Sequence, residues 1–280
     1  MIRPAEFAGT WYPGDSEGCK SQIEDFLEKK KPCDGDVLKI GGIVPHAGWF
    51  FSGKIACNVI SCLKDEGVDT IIIFGKHTTP FGSNSIMTSG EWETPLGNLK
   101  IDSEFAEELC EEFNLKVETP THYESDNTIE LQLPFIKYHF PNVKILPLGI
   151  VRAVLESLEI GSRAVKIARE LGRKIKIIGS TDLTHYGPNY GFTPKGVGGE
   201  ALEWVKANDK RMIDLFLAME PEEILKEAGR NSNCCCPAAV ATAITALKNA
   251  GARKGHLIDY YTSYDIHPDY SFVGYAGVIY

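Results

Sequence analysis

Four short runs rich in isoleucine and valine, at residues 37–44, 70–74, 143–150 and 174–178, constrain the fold of this chain more than any other feature. Each is the length of one strand and most end in Gly or Pro, the pattern of strands buried on both faces. Between them, residues 53–64, 103–113, 129–139 and 153–171 carry apolar side chains at helical spacing, with Asp102 or Ser103 placed to cap the second stretch. Strand then helix, repeated, predicts a three-layer α/β/α fold around a largely parallel sheet covered on both faces.

The last third changes character. Helical patterns at 198–219 and 222–229 lead into a cysteine-rich corner, a helix over 237–250, and two aromatic, alternating segments at 257–263 and 272–280 that read as further strands of a mixed sheet. No Gly/Ser-rich or Pro-rich linker and no repeat interrupts the pattern, so one domain over 1–280 is expected. With 38 acidic against 29 basic residues and no long basic run, the chain lacks the electrostatic footprint of a nucleic-acid binder. No window approaches the roughly 20 apolar residues of a membrane span, and a cytoplasmic protein is expected. Of eight cysteines, three are consecutive (Cys234, Cys235, Cys236) and the rest lack framework spacing, which reads as a reduced, intracellular set.

Chemistry gathers at the strand ends. Pro45-His46-Ala47-Gly48, Gly75-Lys76-His77-Thr78 and Gly179-Ser180-Thr181-Asp182-Leu183-Thr184-His185 each place polar, ligand-type residues just beyond a predicted strand, on the rim where open α/β sheets bind ligands. Singly, His46 reads as a core histidine, His77 as a loop residue and Asp182 as a helix cap; their delivery from three strands to one rim favours a site. Neutral imidazoles are common metal ligands, and two invite an anionic third. The cysteine triplet stands directly before the helix that starts near Pro237, where helix-terminal amides favour a thiolate, although packing accounts for at least two of the three. His185 reads as an acid/base group, with Asp182 as its orienting partner or a polar substrate contact; Asp182 as third ligand is the alternative.

The ordered set Gly9-Thr10-Trp11-Tyr12-Pro13, Pro45-His46-Ala47-Gly48, Gly75-Lys76-His77-Thr78, Thr94-Pro95-Leu96-Gly97, Ile129-Glu130-Leu131-Gln132-Leu133-Pro134-Phe135, Ser180 through Gly187, and Tyr270 through Ala276 resembles the Memo proteins, called AmmeMemoRadiSam system protein B in prokaryotes, nearly end to end. The resemblance implies a fold like that of class III extradiol dioxygenases and an iron or copper site of two histidines and one cysteine, mapping to His46, His77 and Cys234. His185 and Asp182 match further pocket residues. It also implies association with radical-SAM and AMMECR-type proteins. Two departures stand out. Asp126-Asn127-Thr128 replaces the family's Glu-His-Ser, removing a histidine for which His122 is a candidate substitute that the spacing does not single out, and Gly75-Lys76-His77 is one residue shorter than the usual Gly-Pro-x-His, a change that either shifts the ligand or brings a cation near the metal.

Three functions follow as expectations. A thiolate with imidazoles suits Fe(II), copper or zinc, which points to a metal-dependent oxidoreductase acting on a small molecule, with catechol cleavage the less favoured form because extradiol enzymes use a carboxylate. A non-catalytic adaptor would use the same pocket, with its aromatics and Lys76, for a peptide or phosphorylated ligand. Zinc-dependent hydrolysis is the third.

Overall fold

The computed structural model describes every residue except Gly35 and Pro80. Four parallel strands lie side by side in the order Lys144–Gly149, Thr70–Gly75, Ile175–Ser180, Gly41–Val44, and the antiparallel strand Phe272–Ile279 pairs with the last of them. His256–Thr262 pairs antiparallel with Phe272–Ile279, while short strands such as Leu99–Ile101 and Ser85–Met87 extend the opposite side. The sheet is therefore mixed and largely parallel at its centre.

Strand Thr70–Gly75 shows how the sequence builds the layers. Its side chains alternate with the pleat: Ile71 and Ile73 face a core containing helices Ser16–Glu28, Lys54–Cys62 and Leu133–His139. Ile72 and Phe74 face the core of helices Leu155–Glu170 and Pro237–Ala250. Both faces are covered, which is why the run is continuously apolar rather than alternating.

The helix Pro237–Ala250 has the expected bounds, with Pro in its first turn and Gly251 in the left-handed conformation at its end. It seats unusually close to the sheet. A Cβ on Gly179 would stand 2.7 Å from the Ala243 Cβ, and one on Gly161 would stand 2.3 Å from the Thr242 carbonyl oxygen. Glycines on the strand and the neighbouring helix, with alanines at 238, 239, 241, 243 and 246, permit this approach. The consequence is functional: it sets the cysteines that precede the helix against the carboxyl end of strand Ile175–Ser180.

Two readings need correction. The 129–139 stretch is two short helices, Asn127–Glu130 and Leu133–His139, because Pro134 starts a new first turn. Asp102 stands at the N-cap of helix Ser103–Glu112 but makes no capping hydrogen bond. Its fully buried carboxylate instead accepts from Thr70 Oγ1 and pairs with Arg173 at 3.1 Å and Lys144 at 3.4 Å.

Candidate metal centre

The register brings Val44 opposite Ser180 and Phe74 opposite Gly179, so the residues that follow three adjacent parallel strands emerge side by side. His46 and His77 meet there, with ring centroids 5.0 Å apart. Donor atoms of His46, His77, Cys235 and Cys236 all lie within 4.8 Å of one another. The histidines are those expected; the sulfur is not. Cys234 lies outside this group, buried with its Sγ 3.2 Å from Thr181 Oγ1, whereas Cys235 Sγ is 3.4 Å from His46 Nε2. The reason is the backbone pinning of the corner: Cys235 N–H donates to the Asp182 carbonyl, Cys236 N–H donates to Thr181 Oγ1, and Asp182 N–H donates to Cys235 Sγ.

Hydrogen bonds fix which nitrogen of each imidazole is free. Ser180 Oγ donates its one proton to the Thr128 carbonyl at 2.7 Å, so it must accept from His46 Nδ1–H at 2.9 Å, leaving the Nε2 lone pair facing Cys235. His77 Nδ1–H donates to Asp126 Oδ2 at 3.0 Å, the carboxylate–histidine pairing that typically orients a metal-binding imidazole. Lone pairs and sulfurs thus converge, and this donor set fits a soft or borderline transition metal better than magnesium or calcium.

In the metal-free protein the charges instead bias both imidazoles toward their protonated forms, protons that metal binding would release. Burial opposes a charged His46, but Asp182 and Cys235 outweigh it and raise its pKa. Burial opposes a charged His77 as well, and hydrogen bonds to Asp126 and Cys235 lift it to about 10. Burial pushes the Cys235 thiol up, yet Cys236 and His46 hold it well below the usual thiol range; Cys236, buried beside that thiolate, is held well above it.

One segment, residues 126–132, holds the surrounding loops. Asp126 holds His77, Asn127 Nδ2 donates to the His46 carbonyl at 2.8 Å, and Thr128 Oγ1 accepts from Lys76 N–H at 2.6 Å. Glu130 Oε1 accepts from Phe7 N–H and Tyr12 O–H, and Gln132 Nε2 donates to the Pro45 carbonyl at 2.9 Å. The signal in the sequence was the run of polar residues inside an otherwise apolar stretch.

Among the described residues no hydrogen bond joins Asp182 and His185, although both line one cavity. Asp182 Oδ1 accepts from His46 N–H at 2.8 Å, and Oδ2 stands 3.9 Å from His46 Nε2, beside the four-donor group rather than in it. Burial raises its pKa, with His46 opposing. The ring of His185 is oriented by the Leu183 carbonyl, 3.1 Å from Nδ1, which leaves Nε2 free. Lys76 also differs from expectation. Its backbone sits in the left-handed region at φ 79°, and its ammonium is turned away to Glu118 at 2.8 Å and Glu124 at 2.7 Å, so it brings no cation to the metal. His122 is exposed and does not line the cavity.

A cavity of about 590 Å³ opens onto His46 and His77, lined by Trp11, Phe50, Phe51, Asn127, Asp182, His185, Tyr190 and Tyr275 among others. No lysine or arginine lines it among the described residues. A second cavity of about 630 Å³ reaches Cys234 and Cys235 and shares His185 and Tyr190 with the first.

Fold and site together define a three-layer α/β/α protein with a largely parallel central sheet and a candidate His/Cys metal site on its carboxyl rim. The chain belongs to the Memo family: the family model described as Memo-like protein matches residues 3–279. A MEMO1 family protein of Methanopyrus kandleri is 33% identical, covering 100% of this chain and 99% of its own length. One of Pyrococcus furiosus is also 33% identical, with the same coverage of both chains. The crystal structure of an uncharacterized Escherichia coli K12 protein shares the fold, with a TM-score of 0.54 at 10% identity over 85% of this chain and 98% of that one. Cys33 and Cys62 are joined in a disulfide, which corrects the reading of eight reduced cysteines. Among the described residues no helix is long and apolar enough to cross a membrane.

Proposed function

We propose that this chain is a metal-dependent oxidoreductase that acts on a small, uncharged substrate in the 590 Å³ cavity, using iron or copper held by His46, His77 and Cys235. The observation that carries the reading is the convergence of two oriented imidazole lone pairs and a thiolate on one point beside a cavity. Such an ion, when bound, supplies a Lewis acid and a one-electron redox partner.

The chain's own residues do the rest. Trp11, Phe51 and Tyr275 exclude water from the cavity wall and present apolar faces to a planar substrate. His185 takes or returns a proton at Nε2, since Nδ1 is committed to the Leu183 carbonyl. Asn127, at the position of the family's histidine, does not titrate, so proton movement falls to His185. Asp182 holds the His46 loop in place.

A second reading, peptide docking without turnover, draws support from the exposed aromatics Phe50 (68%), Tyr190 (47%) and Trp11 (41%) at the cavity mouth. A phosphorylated ligand would find no lysine or arginine on that lining among the described residues.

Metal analysis of protein purified without oxygen, followed by oxygen uptake with catechols, thiols and other small reductants, separates the readings. Bound iron or copper with substrate-dependent uptake is expected, and His46→Ala, His77→Ala and Cys235→Ala should each sharply weaken binding of the same ion. Zinc without oxygen uptake would point to hydrolysis, and failure to take up any ion would leave docking.

A further inference from the structure

We infer that Cys236 is a second thiolate ligand, so that this protein encloses its ion with four donors, His46, His77, Cys235 and Cys236, rather than three. The inference rests on the metal-site reading above and extends it to a residue that a three-ligand site leaves without a role.

Two of the spacings are those of a coordination shell, and all four donor atoms lie within 4.8 Å of one another. An ion with metal–sulfur bonds of about 2.3 Å and metal–nitrogen bonds of about 2.0–2.1 Å in tetrahedral geometry sets its donors about 3.3–3.8 Å apart. Here Cys235 Sγ lies 3.5 Å from Cys236 Sγ and 3.4 Å from His46 Nε2. The Cys236 side chain is fully buried, and its sulfur has Cys235 Sγ as its only hydrogen-bond partner among the described residues. Cys234 gives the contrast: it is also buried, but its sulfur is engaged by Thr181 and stands outside the group. The two imidazoles have their outer nitrogens committed to Ser180 and Asp126, which leaves one ring nitrogen of each to the group that Cys235 and Cys236 complete.

Four protein donors fill a tetrahedral shell. An exogenous ligand then enters only by expansion to five-coordination or by displacing one donor. Two thiolates also shift the preference toward zinc and Cu(I), the ions suited to soft sulfur ligands.

The test is cobalt substitution of the reduced, metal-free full chain, reading the sulfur-to-cobalt charge-transfer absorption. The wild type should show the intensity of two thiolates, Cys236→Ser and Cys235→Ser each roughly half of it, and Cys234→Ser the full value. An unchanged spectrum in Cys236→Ser, with loss in Cys235→Ser, overturns the fourth ligand while leaving the three-donor site standing. Failure of the wild type to bind cobalt overturns both. Should Cys236→Ser not fold, X-ray absorption of the wild-type zinc form decides: two sulfurs at about 2.3 Å support the inference and one refutes it.

Discussion

The two ends of the parallel strands treat the same residue types in opposite ways. At the amino end, polar groups are paired off: Asp102 is neutralised by Arg173 and Lys144, and Cys33 is joined to Cys62 after helix Lys54–Cys62 has run back across the sheet. At the carboxyl end, Cys235 and Cys236 stand 3.5 Å apart without a bond, and two histidines turn lone pairs toward them. The histidines make the contrast sharper. His139, near the amino end, is lowered to about 4 by burial and by Lys64 and Lys30, whereas His77 is raised to about 10 by Asp126 and Cys235 despite its burial. One end is built for stability, and the other gathers metal-type donors beside a cavity.

The largest effect expected of that division is on the disulfide. Replacing Cys33 and Cys62 by serine opens a loop with a sequence separation of 29. Stability should fall by about 3–4 kcal/mol in denaturant unfolding, with metal stoichiometry unchanged. A loss of bound metal in that variant would break the separation between the two ends.

Next in size, Asp126→Asn keeps the shape of the side chain but removes the carboxylate that orients His77. Metal affinity should weaken by about 10–100-fold in a competition titration, while denaturant stability of the metal-free protein changes far less than in the disulfide variant. Unchanged affinity would mean that His77 is not held for an ion.

The smallest effect is a pH dependence at the amino end. Because the folded pKa of His139 lies below its unfolded value, the unfolded chain binds more protons between about pH 6.5 and 4, and stability is lost as pH falls through that window. His139→Gln should flatten this part of the stability curve by roughly 1–2 kcal/mol. His77 has the opposite sign in the metal-free protein, its contribution being present below about pH 6.5 and lost as pH rises toward 10.

How far the sequence could be read follows the same physical lines. The helix Pro237–Ala250 and the central strands were legible because Pro, Gly251 and uninterrupted Ile/Val runs are local signals. Helix Ser16–Glu28 went unread although Asp15 caps it, and the two- or three-residue strands such as Glu91–Trp92 were not legible, since so few residues carry no period of their own. The rim position of His46 and His77 followed from strand ends alone. The choice among three adjacent cysteines did not, because it depends on the pinning of Cys235 and Cys236 to Thr181 and Asp182 across the chain. Lys76 was misjudged for a similar reason: its partners Glu118 and Glu124 are distant in sequence and draw it away from the metal site.

Crystals of metal-loaded protein, with anomalous scattering recorded on either side of the metal's absorption edge, test the central claim most directly. One strong peak is expected about 2.0–2.3 Å from His46 Nε2, His77 Nε2 and Cys235 Sγ together. A loaded protein whose peak lies elsewhere, or that leaves any one of those three atoms out of bonding distance, would contradict that claim.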